Sequence, residues 1–96
     1  MNSKRDKPVS KFIVLAIIEN KVQLNDPEGE TIHRDLVIKG GYERIESVRT
    51  AKTLKMRVRA KTQDDAEKLV RTFCDELRIY NPVVSDCEVK CTGLAA

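Results

Sequence analysis

The stretch KFIVLAIIE, residues 11–19, decides the fold, because seven consecutive apolar residues lie between Lys11 and Glu19. Its side chains are rich in β-branched residues and do not alternate with polar ones, which is typical of a strand buried on both faces. The run is too short to cross a bilayer as a helix. The pattern therefore predicts a central β-strand, of which one face lies in the core and the other needs a cover.

A first helix is predicted to follow this strand. Asp26 is a favourable N-cap and Pro27 suits the first helical position. Apolar side chains then recur at helical spacing as far as the glycine pair at 40–41, which ends the pattern. Gly29 lies in the first turn, where glycine costs about 1 kcal/mol relative to alanine. We expect Gly29→Ala to leave the fold intact or firmer and to weaken assembly, because a partner can approach the helix start there. A destabilised variant would instead indicate a positive φ or a close backbone contact within the chain.

The second half of the chain predicts three more strands and a second helix. One strand is expected over residues 43–50, and another over residues 53–61, where apolar and basic side chains alternate. Thr62 to Asp65 has the pattern of a capping box, and apolar residues at helical spacing follow it. Asn81-Pro82 breaks the chain, and residues 83–91 are expected to form the last strand.

The order β-α-β-β-α-β predicts an α+β fold. It is a two-layer sandwich with a four-stranded antiparallel sheet and two helices on one face, in ferredoxin-like order. We expect a basic flexible tail over residues 1–10, a single domain over residues 11–92 and a C-terminal tail over residues 93–96. The exposed face of the central strand would be an apolar strip in a monomer. A second copy is its simplest cover, which predicts a dimer or tetramer.

The charge pattern argues against a nucleic-acid partner. The chain has 96 residues and a net charge of +3. Residues 1–11 hold four basic residues and one acidic residue, so the rest of the chain is neutral. The predicted strand over residues 53–61 carries a basic row, but no aromatic residue interleaves with it, as RNA-binding sheets require. We interpret the row as a solvated face or a contact with a partner subunit, and expect neither nucleic acid nor a membrane as partner.

Six residues are candidates for self-association. Val14 and Ile17 represent the two faces of the central strand, only one of which can lie in the core. Basic side chains on one strand and acidic side chains on another can pair across a symmetric interface. The candidate self-association residues are Val14, Ile17, Arg57, Arg59, Asp86 and Glu88.

The sequence contains no recognisable catalytic motif. Cys74, Cys87 and Cys91 do not resemble a secreted disulfide framework, and we interpret them as small core residues of a cytoplasmic protein. The chain has one histidine, His33, expected on a solvated face, so a zinc site lacks ligands. We therefore expect no catalytic, cofactor-binding or metal-binding residue in this chain.

Three blocks of sequence carry a resemblance to a known family. They are NDPEGETIHRDL at residues 25–36, VRTAKTLKMRVRA at residues 48–60 and FCDELRIYNPVVSDCEV at residues 73–89. In this order and spacing they resemble PurS, the small subunit of phosphoribosylformylglycinamidine (FGAM) synthase, over about residues 11–91. One departure is Ala51 before Lys52, where the family usually has glycine, so the turn conformation there can differ.

The resemblance implies a non-catalytic subunit of a complex in de novo purine biosynthesis. Such a subunit is a dimeric adaptor that bridges a glutaminase subunit and an ATP-dependent ligase subunit, and it supports ammonia transfer to formylglycinamide ribonucleotide. It binds no cofactor itself, since ATP and Mg are used through the ligase subunit. Residues of the shared motifs are the candidate partner interface, namely Asp26, Pro27, Gly29, Arg49, Lys52, Asn81 and Pro82.

Two other functions are compatible with the predicted topology. An ACT-like regulatory module would bind a small metabolite at a dimer interface. An acylphosphatase-like enzyme would need an anion-binding loop beside an arginine and an asparagine, and no loop of this sequence resembles one. Binding of an amino acid to the isolated chain would favour the first alternative, and acyl phosphate hydrolysis the second.

Overall fold

The fold consists of three strands and two helices. The computed structural model describes residues 9–95, so the expected basic tail lies outside the described residues except for its last two positions. The elements are β1 (Ser10–Asn20), α1 (Pro27–Ile32) with a π-helical continuation (His33–Ile38), β2 (Lys52–Ala60), α2 (Gln63–Glu76) and β3 (Ser85–Leu94). β3 thus runs two residues into the segment expected as a C-terminal tail.

The sheet is antiparallel with the order β2-β1-β3, so the prediction of a central first strand is confirmed. In the register with β2, Val14 lies opposite Met56 and Leu15 opposite Lys55. A bulge between Ile13 and Val14 shifts the register with β3. Because directly paired residues share a face, the central strand and its two neighbours form one apolar face and one mixed face.

The core lies between the apolar face of the sheet and α2. Phe12, Val14 and Ala16 of β1 are buried, and Val14 is completely inaccessible. Helix α2 covers them with Ala66, Val70 and Cys74, and Val58 and Cys91 complete the cluster. Apolar side chains at helical spacing on α2 and at every second position of β1 therefore meet as the sequence predicts.

Local sequence explains where α2 begins and ends. The Thr62 hydroxyl accepts a hydrogen bond from the backbone N–H of Asp65 at 3.1 Å, as expected of an N-cap. At the other end, Arg78 adopts a left-handed conformation with φ of 52°. The N–H of Ile79 then bonds to the carbonyl of Cys74 at 3.1 Å. This closes the helix in a Schellman-type turn, with arginine in the position that glycine usually occupies.

The strand predicted over residues 43–50 is absent, so the four-stranded sheet and its ferredoxin-like order are not confirmed. Residues 45–50 run along α1 instead, where the Ile45 carbonyl lies 2.8 Å from Nε2 of His33. A hairpin onto β2 would need a tight turn at residues 50–53, and Thr-Ala-Lys-Thr has no glycine or asparagine for the positive φ of such turns. The contacts with His33 and Asp26 hold the segment against the helix instead.

The prediction that both helices cover one face of the sheet is also wrong. Helix α2 packs on all three strands, whereas α1 and its π-helical continuation contact no strand and not α2. The described chain is accordingly elongated, with extents of 62 × 30 × 14 Å and a radius of gyration of 18.1 Å. A compact domain of this length would have a radius of gyration of about 12 Å. We call residues 27–47, which project from the sheet, the arm.

Candidate interaction surfaces

The base of the arm is fixed by Asp26, whose buried carboxylate accepts hydrogen bonds from three donors, the backbone N–H groups of Gly29 and Thr50 and the Thr50 hydroxyl. The N–H of Gly29 donates to it at 3.1 Å, which makes Asp26 the N-cap of α1 as predicted. The backbone N–H of Thr50 also donates to it, and the Thr50 hydroxyl lies 2.8 Å from Oδ2. The bonds from Thr50 and then from Gly29 hold the pKa of Asp26 below its ordinary value.

Gly29 is buried because the backbone of residues 48–49 passes directly over α1. A Cβ at this position would overlap the carbonyl oxygen of Val48, and would lie 3.0 Å from Cα of Arg49. Glycine is therefore required by a close approach of two backbone segments of one chain. This close contact favours the alternative in which alanine destabilises the fold over the one in which the fold stays intact or firmer.

Arg49 joins the same region to the end of β1. Its guanidinium donates to the backbone carbonyls of Leu24, Asn20 and Lys21, at 3.2, 3.1 and 3.2 Å. Planar guanidinium groups suit such convergent acceptors. We refer to Asp26, Gly29, Val48, Arg49 and Thr50 together as the clasp, because their contacts fix the direction in which the arm leaves the sheet.

The remaining candidate partner residues are spread over two loops and a strand end. Asn81 is used within the chain, since its side chain accepts from Val83 N–H at 3.0 Å, and its carbonyl accepts from Ser85 N–H at 2.8 Å. Pro82 and Lys52 are exposed, as is Pro27 at the start of α1. Of the seven candidates, Asp26, Gly29, Arg49 and Asn81 thus form contacts inside the chain, although Arg49 and Asn81 are also exposed, as are Pro27, Lys52 and Pro82.

The face of the sheet opposite α2 is uncovered within the described chain. Ile13, Leu15 and Ile17 form an apolar stripe along β1 there, and all three are partly exposed. Val14 belongs to the core, which leaves Ile17 as the member of the predicted pair that faces outwards. A contiguous apolar stripe on a strand face is a feature of interaction surfaces.

Charged side chains flank the apolar stripe. The basic residues Lys55 and Arg57 of β2 lie beside Leu15 and Ile13, whereas Glu88 of β3 lies beside Ile17. We call this surface the open face, and it is mixed in charge but basic in balance, with five basic and three acidic residues. The open face comprises Lys11, Ile13, Leu15, Ile17, Glu19, Thr53, Lys55, Arg57, Arg59, Asp86, Glu88 and Lys90.

The arm carries a second exposed apolar cluster, which sequence reasoning did not identify. Leu36 and Tyr42 are 68% and 64% exposed, and Ile38 and Ile45 are each 44% exposed. The π-helical geometry of residues 33–38 changes the angular spacing of side chains, so the apolar positions no longer form the stripe expected of an α-helix. Helical periodicity could not have indicated this, because it assumes a regular helix.

Cys74, Cys87 and His33 all contact neighbouring groups inside the described chain. Cys74 is buried in the core beside Cys87, and burial followed by the nearby Cys87 raises the pKa of its thiol. A raised pKa favours the unreactive thiol form. His33 Nε2 lies against the Ile45 carbonyl and so links the two sides of the arm. Within residues 9–95, no group of three or more potential ligand side chains could hold a metal ion.

A polar cavity of about 460 Å³ lies where the arm leaves the sheet. Glu19, Glu28, Lys52 and Tyr80 contribute to its wall. It borders the clasp and includes one exposed candidate partner residue, Lys52.

Among the described residues there is no helix of the length and apolar character needed to traverse a membrane.

Comparison with known proteins identifies a consistent set of relatives. The sequence pattern of the family described as PurS: Phosphoribosylformylglycinamidine (FGAM) synthase matches residues 13–93. The phosphoribosylformylglycinamidine synthase subunit PurS of Archaeoglobus fulgidus is 33% identical over 67 residues, which is 70% of this chain and 81% of that protein. The family match at residues 13–93 thus includes both helices, β2 and all but the outer ends of β1 and β3.

Solved structures show the same fold. The purS subunit of phosphoribosylformylglycinamidine synthase from Thermotoga maritima superposes with a TM-score of 0.73 at 29% identity, over 90% of this chain and 97% of that one. A chain in the structure of PurLQS from the same organism gives 0.70 at 31% identity, over 88% and 98%. The Methanocaldococcus jannaschii PurS gives 0.66 at 28% identity, over 83% and 94%. None of these relatives is an ACT-type regulator.

Proposed function

The chain belongs to the PurS family of FGAM synthase subunits in purine biosynthesis, and we propose that it acts there as a non-catalytic adaptor. In this role it holds a glutaminase subunit and an ATP-dependent ligase subunit together, and supports ammonia transfer to formylglycinamide ribonucleotide. It binds no cofactor, and ATP and Mg act at the ligase subunit. The reaction takes place in the cytoplasm.

The observation that carries this proposal is the match to PurS along nearly the whole folded chain, residues 13–93. The similar Thermotoga maritima chain belongs to an assembly, PurLQS, which supports a role in a complex for this chain as well. The surfaces of the described residues agree with such a role. The open face and the arm both expose apolar side chains that no other part of residues 9–95 covers.

A homo-oligomer is the second part of the proposal. Leaving the stripe of Ile13, Leu15 and Ile17 in water forgoes about 25 cal/mol per Å² of apolar area that could be buried. The flanking basic and acidic rows can pair across an interface between two copies. We expect at least a dimer at micromolar concentration, which light scattering coupled to size-exclusion chromatography measures. A monomeric mass over the whole concentration range would contradict this part.

Reconstitution with separately purified glutaminase and ligase subunits tests the adaptor role. Formation of the amidine product is measured with either glutamine or ammonium as nitrogen source. We expect glutamine-dependent activity to require this chain, and ammonium-dependent activity of the ligase to be little changed by it. The difference separates transfer between subunits from the chemistry of the ligase itself.

The isolated chain provides the control. It should show no glutaminase activity, no ATPase activity and no formation of the amidine, because it contains no recognisable nucleophile–base pair. Turnover by the isolated chain above the level of contamination would overturn the non-catalytic role. Glutamine-dependent activity that is full without the chain would overturn the adaptor role.

A further inference from the structure

We propose that Cys74 and Cys87 form a reversible disulfide when the protein meets a peroxide, so that a covalent bridge joins the end of α2 to β3. The pair is a modification site of the chain itself, and its chemistry does not depend on the adaptor role. All three cysteines carry free thiols in the structure, so the bridge is an oxidised state of this fold. Disulfides are rare where glutathione keeps thiols reduced, which favours a transient bridge over a permanent one.

The first support is the position of the two side chains on elements that pack together. Cys74 lies in the buried core, on the side of α2 that faces the sheet. Cys87 lies opposite Ile18 of β1 and on the same face of β3 as the buried Cys91, because residues four apart in a strand point the same way. It packs against the cluster that contains Cys74, and the two thiols are neighbours there.

A tether from the helix holds Cys87 in this place. Arg71 and Cys74 are three residues apart in α2 and therefore lie on the same side of the helix. Nη2 of Arg71 donates to the backbone carbonyl of Cys87 at 3.0 Å, and Cα atoms of α2 and β3 approach within 8 Å. Disulfides span Cα atoms about 4.4–6.8 Å apart. The bridge therefore needs a local adjustment of two packed elements and no unfolding.

The two cysteines differ in access, and this difference sets the order of the reaction. Cys87 is partly exposed, whereas Cys74 is completely inaccessible. Burial also raises the pKa of the Cys74 thiol, which keeps it protonated and slow to react with a reagent from solvent. Cys87 is therefore the thiol that a peroxide reaches first, and Cys74 is the one that completes the bridge.

The reaction balances with hydrogen peroxide as the oxidant. The Cys87 thiolate attacks one peroxide oxygen and the O–O bond breaks, which leaves a sulfenic acid and a hydroxide that takes the proton released by Cys87. The Cys74 sulfur then attacks the sulfenic sulfur. The S–S bond forms, the S–O bond breaks, and the departing hydroxide takes the proton of Cys74. Two thiols and one peroxide thus give one disulfide and two waters, and a dithiol reverses the bridge by exchange.

The bridge closes residues 74–87 into a covalent ring. This ring contains the turn at Arg78 and two exposed candidate partner residues, Asn81 and Pro82. A cross-link that fits the native geometry stabilises the fold, because it removes conformations from the unfolded chain. We therefore expect the thermal midpoint of the oxidised protein to rise by about 5 °C or more.

Peptide mapping of the full-length protein provides the experiment. Trypsin cleaves after lysine and arginine, so each cysteine falls in a peptide of its own, residues 72–78, 79–90 and 91–96. The folded protein is treated with hydrogen peroxide, the remaining thiols are alkylated, and the digest is measured by mass spectrometry. We expect the first two peptides to be joined with the loss of two hydrogens, and the third to be alkylated. Oxidation in urea is the control and should give a mixture of pairings, because the fold then no longer selects the pair.

Two matched variants assign the bridge. Cys91→Ala should keep both the link and the rise in thermal midpoint relative to its own reduced form. Cys87→Ala should show neither, and dithiothreitol should remove both from the oxidised wild type.

The wild-type map by itself can overturn the proposal, even where a variant folds poorly. Oxidation of Cys87 without a link to Cys74, a link from Cys87 to Cys91, or a link between two copies would each do so. The same holds for a link that lowers the thermal midpoint, since the native packing would then have to distort to accommodate it. Equally selective pairing in urea would show that the fold does not bring the two thiols together.

Discussion

The two helices of this protein begin in the same way and end in different surroundings. Asp26 and Thr62 each accept a hydrogen bond at 3.1 Å from the backbone N–H three residues further on. Helix α2 then runs for 14 residues and buries Ala66, Val70 and Cys74 against the sheet. Helix α1 runs for six residues, continues as a π-helix for six more, and buries only Gly29.

The difference shows that a helix start and a helix packing site depend on different information. An N-cap is a local interaction, so a few residues of sequence specify it. Packing requires an apolar stripe that matches a surface elsewhere in the chain. Helix α2 has such a stripe above β1. The arm exposes apolar side chains, and its helix makes no contact with the sheet.

The largest difference in stability is expected between two substitutions by aspartate, one on the buried side of α2 and one on the exposed side of the arm. Val70→Asp places an unpaired charge at a site that is 2% exposed, and should destabilise the fold by more than about 4 kcal/mol or prevent folding. Leu36→Asp, at a site that is 68% exposed, should change the free energy of unfolding by less than about 0.5 kcal/mol. Chemical denaturation monitored by circular dichroism measures both. A comparable loss in Leu36→Asp would mean that the arm packs within its own chain.

Gly29→Ala tests the clasp and should have the next largest effect. The new methyl group overlaps the Val48 carbonyl, so backbone has to move, and we expect a loss of about 1–3 kcal/mol. The exposed neighbour Glu30→Ala is the control and should stay within about 0.5 kcal/mol of the wild type. Thermal unfolding of the isolated chains compares them. A Gly29→Ala protein as stable as the wild type would show that residues 48–49 do not lie over α1.

The stabilisation that the clasp provides should depend on pH, because Asp26 accepts its hydrogen bonds as a charged carboxylate. Its pKa lies below the ordinary value of 3.8 because Thr50 and Gly29 donate to the carboxylate. The folded state therefore binds this proton less readily than the unfolded state, and the stabilisation is complete above about pH 4 and is lost as the pH falls through the folded pKa. Asp26→Asn should lower the thermal midpoint at pH 7 and differ less from the wild type at pH 3. An unchanged difference at the two pH values would contradict this linkage.

The smallest effect concerns the end of α2. Arg78 has a φ of 52°, a conformation that glycine adopts without the steric cost paid by other residues. Arg78→Gly should therefore stabilise the protein by about 0.5–1 kcal/mol. Arg78→Ala keeps the steric conflict and removes the charge, so it should give no such gain. Thermal midpoints of the three proteins decide whether the backbone or the guanidinium accounts for the effect.

Much of the described architecture follows from sequence alone. The apolar run 12–18 predicted the central strand, because a strand that carries apolar side chains on both faces is typical of the middle of a sheet. The capping residues Asp26 and Thr62 predicted where the two helices begin, and the alternation of apolar and basic side chains predicted β2. The three motif blocks indicated the family, because their order and spacing along the chain resemble those of PurS. These features depend on contacts within a few residues, or on periodicity that one element shows by itself.

Tertiary structure alone decided the rest. The apolar positions of residues 43–50 suit a short strand, and it is contacts with distant residues that place the segment along α1, from the Ile45 carbonyl to His33 and from Thr50 to Asp26. The local pattern suited a glycine left small for an approaching partner, whereas the group directly above Gly29 is the Val48 carbonyl of the same chain. The choice of Val14 for the core and Ile17 for the open face required the position of α2. In each case the deciding neighbour lies far along the chain or on the other side of the sheet, where no local pattern can indicate it.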